Sequence, residues 1–143
     1  RLNKDDATMI KENDLAVTGE SGMQAIVQLL STIDVNDCGA FLELEVTNEK
    51  DAIVAASTWK QRQESDSLPP LVLMLDNFGP ERSKAMVGEL TDMGLRDAVV
   101  LEASGNIVFD DLEAWRECGV DVLSTSAINR GTTPLDVSML IDQ

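Results

Sequence analysis

A chain of 143 residues is one domain or a piece of one, and its 26 acidic against 11 basic residues leave a net charge of −15, which repels nucleic acid and anionic membranes as partners. The absence of histidine excludes Ser-His-Asp chemistry and the usual zinc sites within this chain. No apolar run nears the ~20 residues that span a bilayer, so the sequence reads as that of a cytoplasmic protein.

Residues 1–6 are polar apart from Leu2 and carry no periodicity. Ala7-Thr8-Met9-Ile10 is a short strand that ends at Lys11. After Gly19-Glu20-Ser21-Gly22, with Ser21 placed to cap, Met23, Ile26, Val27 and Leu30 form the apolar stripe of a helix. Asn36-Asp37-Cys38-Gly39 breaks it, and residues 40–46 form a second strand with Glu43 and Glu45 on one face, because side chains alternate. Thr47 or Asn48 caps a helix over roughly 49–62 that buries Ile53, Ala56 and Trp59, and the polar stretch 61–70 reads as a loop.

Leu71-Val-Leu-Met-Leu then runs without a polar interruption, as a strand buried on both faces requires, and stops on Asp76. Gly79-Pro80 turns the chain into a helix over roughly 80–92, with Met86, Leu90 and Met93 inward. Residues 97–101 form the next strand, ending in Glu102-Ala-Ser104-Gly105. Asp110 or Asp111 opens a helix carrying Leu112 and Trp115, and Gly119 closes it. Residues 120–123 form the last strand, with Ser124-Thr125-Ser126 at its tip, and 134–141 form a final helix. Trp59 and Trp115 read as core, and Cys38 and Cys118, neither in a CxxC, as reduced core residues.

This βαβαβαβαβα order calls for an α/β fold with a parallel sheet and right-handed crossovers. A doubly wound sheet usually carries a glycine-rich loop after its first strand, and none occurs here, so the pattern favours a TIM-type (β/α) barrel. In a barrel the strand tips Lys11, Glu45, Asp76, Glu102 with Ser104-Gly105, and Ser124 to Ser126 point to one face. Singly, each has a plainer explanation: Lys11 and Glu45 as solvated charges, Asp76 as a helix cap, Ser104-Gly105 as a turn. Together they describe chemistry. Carboxylates from adjacent strands suit Mg²⁺ or sugar hydroxyls, Ser104-Gly105 offers a hydroxyl and backbone N–H groups to phosphate, and Lys11 supplies a point charge for an anion.

The blocks Met9-Ile-Lys11-Glu-Asn13, Leu42-Glu-Leu-Glu45-Val, Leu73-Met-Leu-Asp76-Asn77-Phe78, Leu101-Glu102-Ala-Ser104-Gly105-Asn-Ile and Gly119-Val-Asp121-Val follow the order seen in quinolinate phosphoribosyltransferase, which the chain resembles over nearly all its length. The resemblance implies that Arg1 and Lys11 bind quinolinate carboxylates. It places Glu45 and Asp76 against the ribose and Mg²⁺ of phosphoribosyl pyrophosphate, and Ser104 and Gly105 on phosphate. It implies nicotinate mononucleotide, CO₂ and pyrophosphate as products, and a homodimer or higher homo-oligomer.

Four positions depart from the family pattern. Asp14 stands where a histidine is usual, Asn106 where a second glycine follows the serine, and Ser126 and Arg130 align with a glycine and a histidine. Arg130 still suits phosphate, whereas Ser126 narrows a place where backbone approaches it. Five strands cannot close a barrel that needs more. Residues 1–143 are therefore expected to be the C-terminal portion of the barrel, inactive in isolation. A molybdenum-transport-associated relative and a non-catalytic remnant serving as an assembly partner are the alternatives.

Overall fold

A computed structural model describes residues 6–129. Arg1, Arg130 and the helix expected over 134–141 lie outside the described residues. The elements are β1 (Thr8–Ile10), α1 (Glu12–Leu15), α2 (Met23–Thr32), β2 (Leu42–Val46), α3 (Glu49–Ser65), β3 (Leu71–Asp76), α4 (Gly79–Asp92), β4 (Val99–Ser104), α5 (Leu112–Trp115) and β5 (Val122–Leu123), joined by short 3₁₀ turns. Among the described residues, no helix is long and apolar enough to cross a membrane.

All strand pairs are parallel, in the order β1-β2-β3-β4-β5. Each strand adds to the free side of the one before it. A doubly wound sheet must reverse its order where the second half begins, so this unreversed order belongs to the wall of a barrel.

Alternation assigns the two faces of the sheet. Leu42, Leu44 and Val46, Leu71, Leu73 and Leu75, and Val99 and Leu101 pack with Ile26 and Leu30 of α2, Ala52, Ala55, Ala56 and Trp59 of α3, and Met86 and Leu90 of α4. Ala103 continues this face under Ile107, Trp115 and Cys118. Each fully buried leucine contributes roughly 1.5–3 kcal/mol by leaving water. The helices thus cover one face, and the other carries Glu43, Glu45, Met74, Asp76, Glu102 and Ser104.

Several local expectations are corrected by packing. Only one side of the α2 stripe is covered, so Met23 and Val27 stay 48% and 43% exposed while Ala25, Ile26 and Leu30 are buried. Gly22, not Ser21, is the N-cap of α2, with φ 57 and ψ −134, a conformation open to glycine. Asn48 caps α3 by accepting from the Asp51 N–H at 3.0 Å. That helix runs to Ser65, past the expected end. Arg62 in its last turns donates to the Leu30 carbonyl at 2.9 Å, and the Trp59 indole donates to the Pro69 carbonyl at 2.9 Å, so tertiary anchors hold turns that composition alone left open. Ile53 is half-buried, and Met93 at 51% and Leu112 at 39% are exposed. Residues 97–98 lie in a 3₁₀ turn, and β4 instead continues through Ser104. Trp59, Trp115 and the two free thiols are buried as expected.

Candidate active site

Register brings the tips together. Glu45 pairs with Met74 and Met74 with Glu102, while Asp76 pairs with Ser104 one row further on. Residues in register on neighbouring strands face the same side, so Glu45, Asp76, Glu102 and Ser104 share the face turned away from the helices. Met9 pairs with Glu43, and Lys11 follows at the end of β1.

Lys11 Nζ donates to Glu45 Oε2. That hydrogen bond is the largest cause holding the lysine above its usual value; burial opposes it, and the charges of Glu45, Asp76 and Glu12 add to it. The charge of Asp76 thus acts on Lys11 as well, and strand register puts Glu45 and Asp76 on the same face of the sheet. For a group whose folded value is raised, the lysine's contribution to stability is complete below the unfolded value near 10.5 and is lost as pH rises through the higher folded value. Glu45→Gln removes the charge behind that bond and leaves only a neutral acceptor, so Lys11 is expected to titrate at lower pH in that variant. A ¹⁵N titration of the lysine Nζ groups checks this, and an unmoved Lys11 would show the pair to be without electrostatic consequence.

Asp76 does not cap the helix that follows it. The N-cap of α4 is Phe78, which makes no side-chain capping bond. The Asp76 carboxylate instead accepts from Asn77 Nδ2 at 2.7 Å through Oδ2. Across β4, Ser104 and Gly105 line a cleft of about 490 Å³ together with Asn106, Ser124 and Ser126, so Ser126 reaches the same cleft as the Ser104-Gly105 turn. Thr125 accepts from the Ala127 N–H at 3.0 Å and donates to the Ile107 carbonyl, fixing the loop that presents Ser124 and Ser126.

Glu102 is a site candidate to which the sequence reading assigns no role beyond a strand tip. It shares the row of Glu45 and accepts from Ser124 Oγ. The available signal is its spacing of two from Ser104, which puts both on one face. Asn77 and Asn106 were also without a role, and no sequence pattern marks their contact. Two motif residues serve the scaffold. The Asp14 carboxylate accepts from the Lys11 backbone N–H at 2.9 Å, closing the first turn of α1, so its replacement of histidine has a local structural use. Asp121 accepts from the Leu101 N–H at 2.7 Å and pairs with Arg96, tying β4 to the approach of β5.

The donor set fits a hard cation. Glu45 and Asp76 offer carboxylate oxygens, and the described hydrogen bonds use one oxygen of each. Among the described residues, no three His, Cys, Asp or Glu side chains gather into an all-protein cage. Mg²⁺ commonly takes one or two carboxylates and completes its shell with water and substrate phosphates.

A family model, the quinolinate phosphoribosyl transferase C-terminal domain, matches residues 1–140. The chain belongs to this family. It is 32% identical over 143 residues to the probable nicotinate-nucleotide pyrophosphorylase (carboxylating) of Methanothermobacter thermautotrophicus, covering 99% of this chain and 46% of the relative. It is likewise 32% identical over 143 residues to the Archaeoglobus fulgidus protein of the same name, covering 100% of this chain and 49% of that one. The chain thus spans about half the length of these curated relatives. The crystal structure of a NadC deletion mutant superposes with a TM-score of 0.64 at 25% identity, covering 95% of this chain and 41% of that one. The quinolinate phosphoribosyl transferase domain fold, and the TIM-type architecture expected from the strand order, agree with that superposition.

Proposed function

We propose that this chain forms the C-terminal part of the barrel of an enzyme that transfers the phosphoribosyl group of phosphoribosyl pyrophosphate to quinolinate, releasing CO₂ and pyrophosphate and leaving nicotinate mononucleotide. The observation that carries the reading is the convergence of Lys11, Glu45 and Asp76 on one face, beside the Ser104-Gly105 cleft, in a chain of this family. Lys11 supplies positive charge for a quinolinate carboxylate, a role shared with Arg1. Glu45 and Asp76 face the ribose, where negative charge favours an oxocarbenium-like centre over the ground state. Ser104 and Gly105, with Ser126 and Arg130, take the phosphate. Catalysis on this reading is positioning plus charge stabilisation, with no covalent nucleophile.

Lys11 stands against two carboxylates, Glu45 and Asp76, so a pyrophosphate group entering there without a cation meets repulsion. Glu45 and Asp76 would hold Mg²⁺, which neutralises the pyrophosphate and orients the leaving group. The same reading includes a homodimer or higher homo-oligomer, no nucleic-acid or membrane partner for a chain of net charge −15, and a cytoplasmic setting that suits the free thiols Cys38 and Cys118. Asp14 has a capping role and so lends no support to a remnant that has lost its site.

The test is formation of nicotinate mononucleotide from quinolinate and phosphoribosyl pyrophosphate by the protein at its full natural length, with Mg²⁺ varied. Product whose rate follows Mg²⁺ is the expected result. A folded full-length protein that forms none overturns the reading.

A further inference from the structure

We propose that Asn77 is a positioning residue for Asp76, the last link of a relay of side-chain amides that runs from Asn106 through Asn77 to the Asp76 carboxylate. The relay rests on the proposed function for what Asp76 does in catalysis, but its geometry stands by itself. Asn106 Nδ2 donates to Asn77 Oδ1 at 2.9 Å, and Asn77 Nδ2 donates to Asp76 Oδ2 at 2.7 Å. The direction is dictated by chemistry. An ionised carboxylate only accepts, so Asn77 must turn its NH₂ to Asp76 and its oxygen to Asn106, which answers with its own NH₂.

The backbone is shaped around this link. Among the described residues, Asn77 at φ 57 and Asn106 at φ 54 are the two non-glycine residues in left-handed conformation. Such a conformation costs an L-residue free energy and persists where surrounding contacts hold it. The Asn77 N–H donates to the Ser104 carbonyl at 2.9 Å, which ties the end of β3 to the end of β4. Gly105, at φ 94, leaves the space the amide occupies: a Cβ there would lie 2.4 Å from Asn77 Oδ1 and 2.9 Å from its backbone nitrogen. Glycine would serve a left-handed turn at residue 77 with less strain. What glycine lacks is a group that accepts from Asn106 and donates to Asp76 at once. That donation fixes one oxygen of Asp76 at a strand end where the carboxylate would otherwise rotate, and leaves the other for a ligand.

The experiment compares Asn77→Gly, Asn77→Asp, Asn106→Gly and the double glycine variant in the protein at its full natural length. Glycine adopts φ 57 without strain, so Asn77→Gly is expected to leave the melting temperature unchanged or raise it. Its kcat should fall roughly 10–100-fold, the usual loss when a partner orienting a catalytic carboxylate is removed, with KM for quinolinate unchanged. Asn77→Asp still accepts from Asn106 but cannot donate to Asp76, and should lose at least as much. Asn106→Gly should lose less, and the double variant should be no slower than Asn77→Gly, because links in series do not add.

Near-wild-type kcat in both Asn77 variants, losses that track unfolding, or additive losses would overturn the relay. A wild-type protein that makes no product overturns the functional reading instead, and the relay is then read by NMR scalar couplings of Asp76. One rotamer in the wild type and averaging in Asn77→Gly support it, and a single rotamer kept in both refutes it.

Discussion

Asp76→Asn is expected to slow nicotinate mononucleotide formation by roughly 10²–10³-fold, the loss typical of removing one preorganised electrostatic contact. The substitution preserves shape. An asparagine oxygen at 76 still accepts from Asn77 Nδ2, whose bond to Asp76 is 2.7 Å, so stability should change by about 1 kcal/mol or less. What is lost is the negative charge proposed to face the ribose and one of two carboxylates proposed for Mg²⁺. The dependence of rate on Mg²⁺ should therefore shift to higher concentrations together with the fall in kcat. Because Phe78 and not Asp76 stands at the α4 N-cap, a capping defect cannot produce the same result. Turnover like the wild type, measured in the same assay, would remove Asp76 from the site.

Gly105→Ala is expected to act on both halves of the site at once. The added methyl would meet Asn77 Oδ1 at 2.4 Å and the Asn77 nitrogen at 2.9 Å, while φ 94 is itself unfavourable for alanine. The Asn77 side chain can swing away, but its backbone nitrogen is held by the Ser104 carbonyl at 2.9 Å, so the Ser104-Gly105 turn must shift as well. A cost of roughly 1–3 kcal/mol in stability follows from the strain. Displacement of the turn by about 1 Å would cost on the order of 10²-fold in kcat/KM for phosphoribosyl pyrophosphate. Denaturant unfolding and steady-state kinetics separate the two effects. A stable variant with unchanged kcat/KM would show that this turn neither holds phosphate nor supports Asp76.

Sequence alone determined the parallel α/β class and the positions of the polar strand tips. The reason is local. Five apolar residues ending on Asp76 can be satisfied only by a strand covered on both faces, and alternation then fixes which of Glu43, Leu44 and Glu45 point together. The family blocks were legible for the same reason, since their spacing belongs to the chain and not to its packing. Tertiary structure decided the rest. The Lys11–Glu45 pair spans 34 residues of sequence and the Asn106–Asn77 bond 29, so each exists only once strand register is set across intervening helices. Which side of the α2 stripe is buried, and so why Met23 and Val27 remain exposed, depends on where α3 lies against it. Asp76 looked equally able to cap a helix or to face a ligand. The turn through Asn77 removes the capping alternative, because a left-handed residue directly after the strand moves the N-cap on to Phe78 and leaves the carboxylate on the face it shares with Glu45.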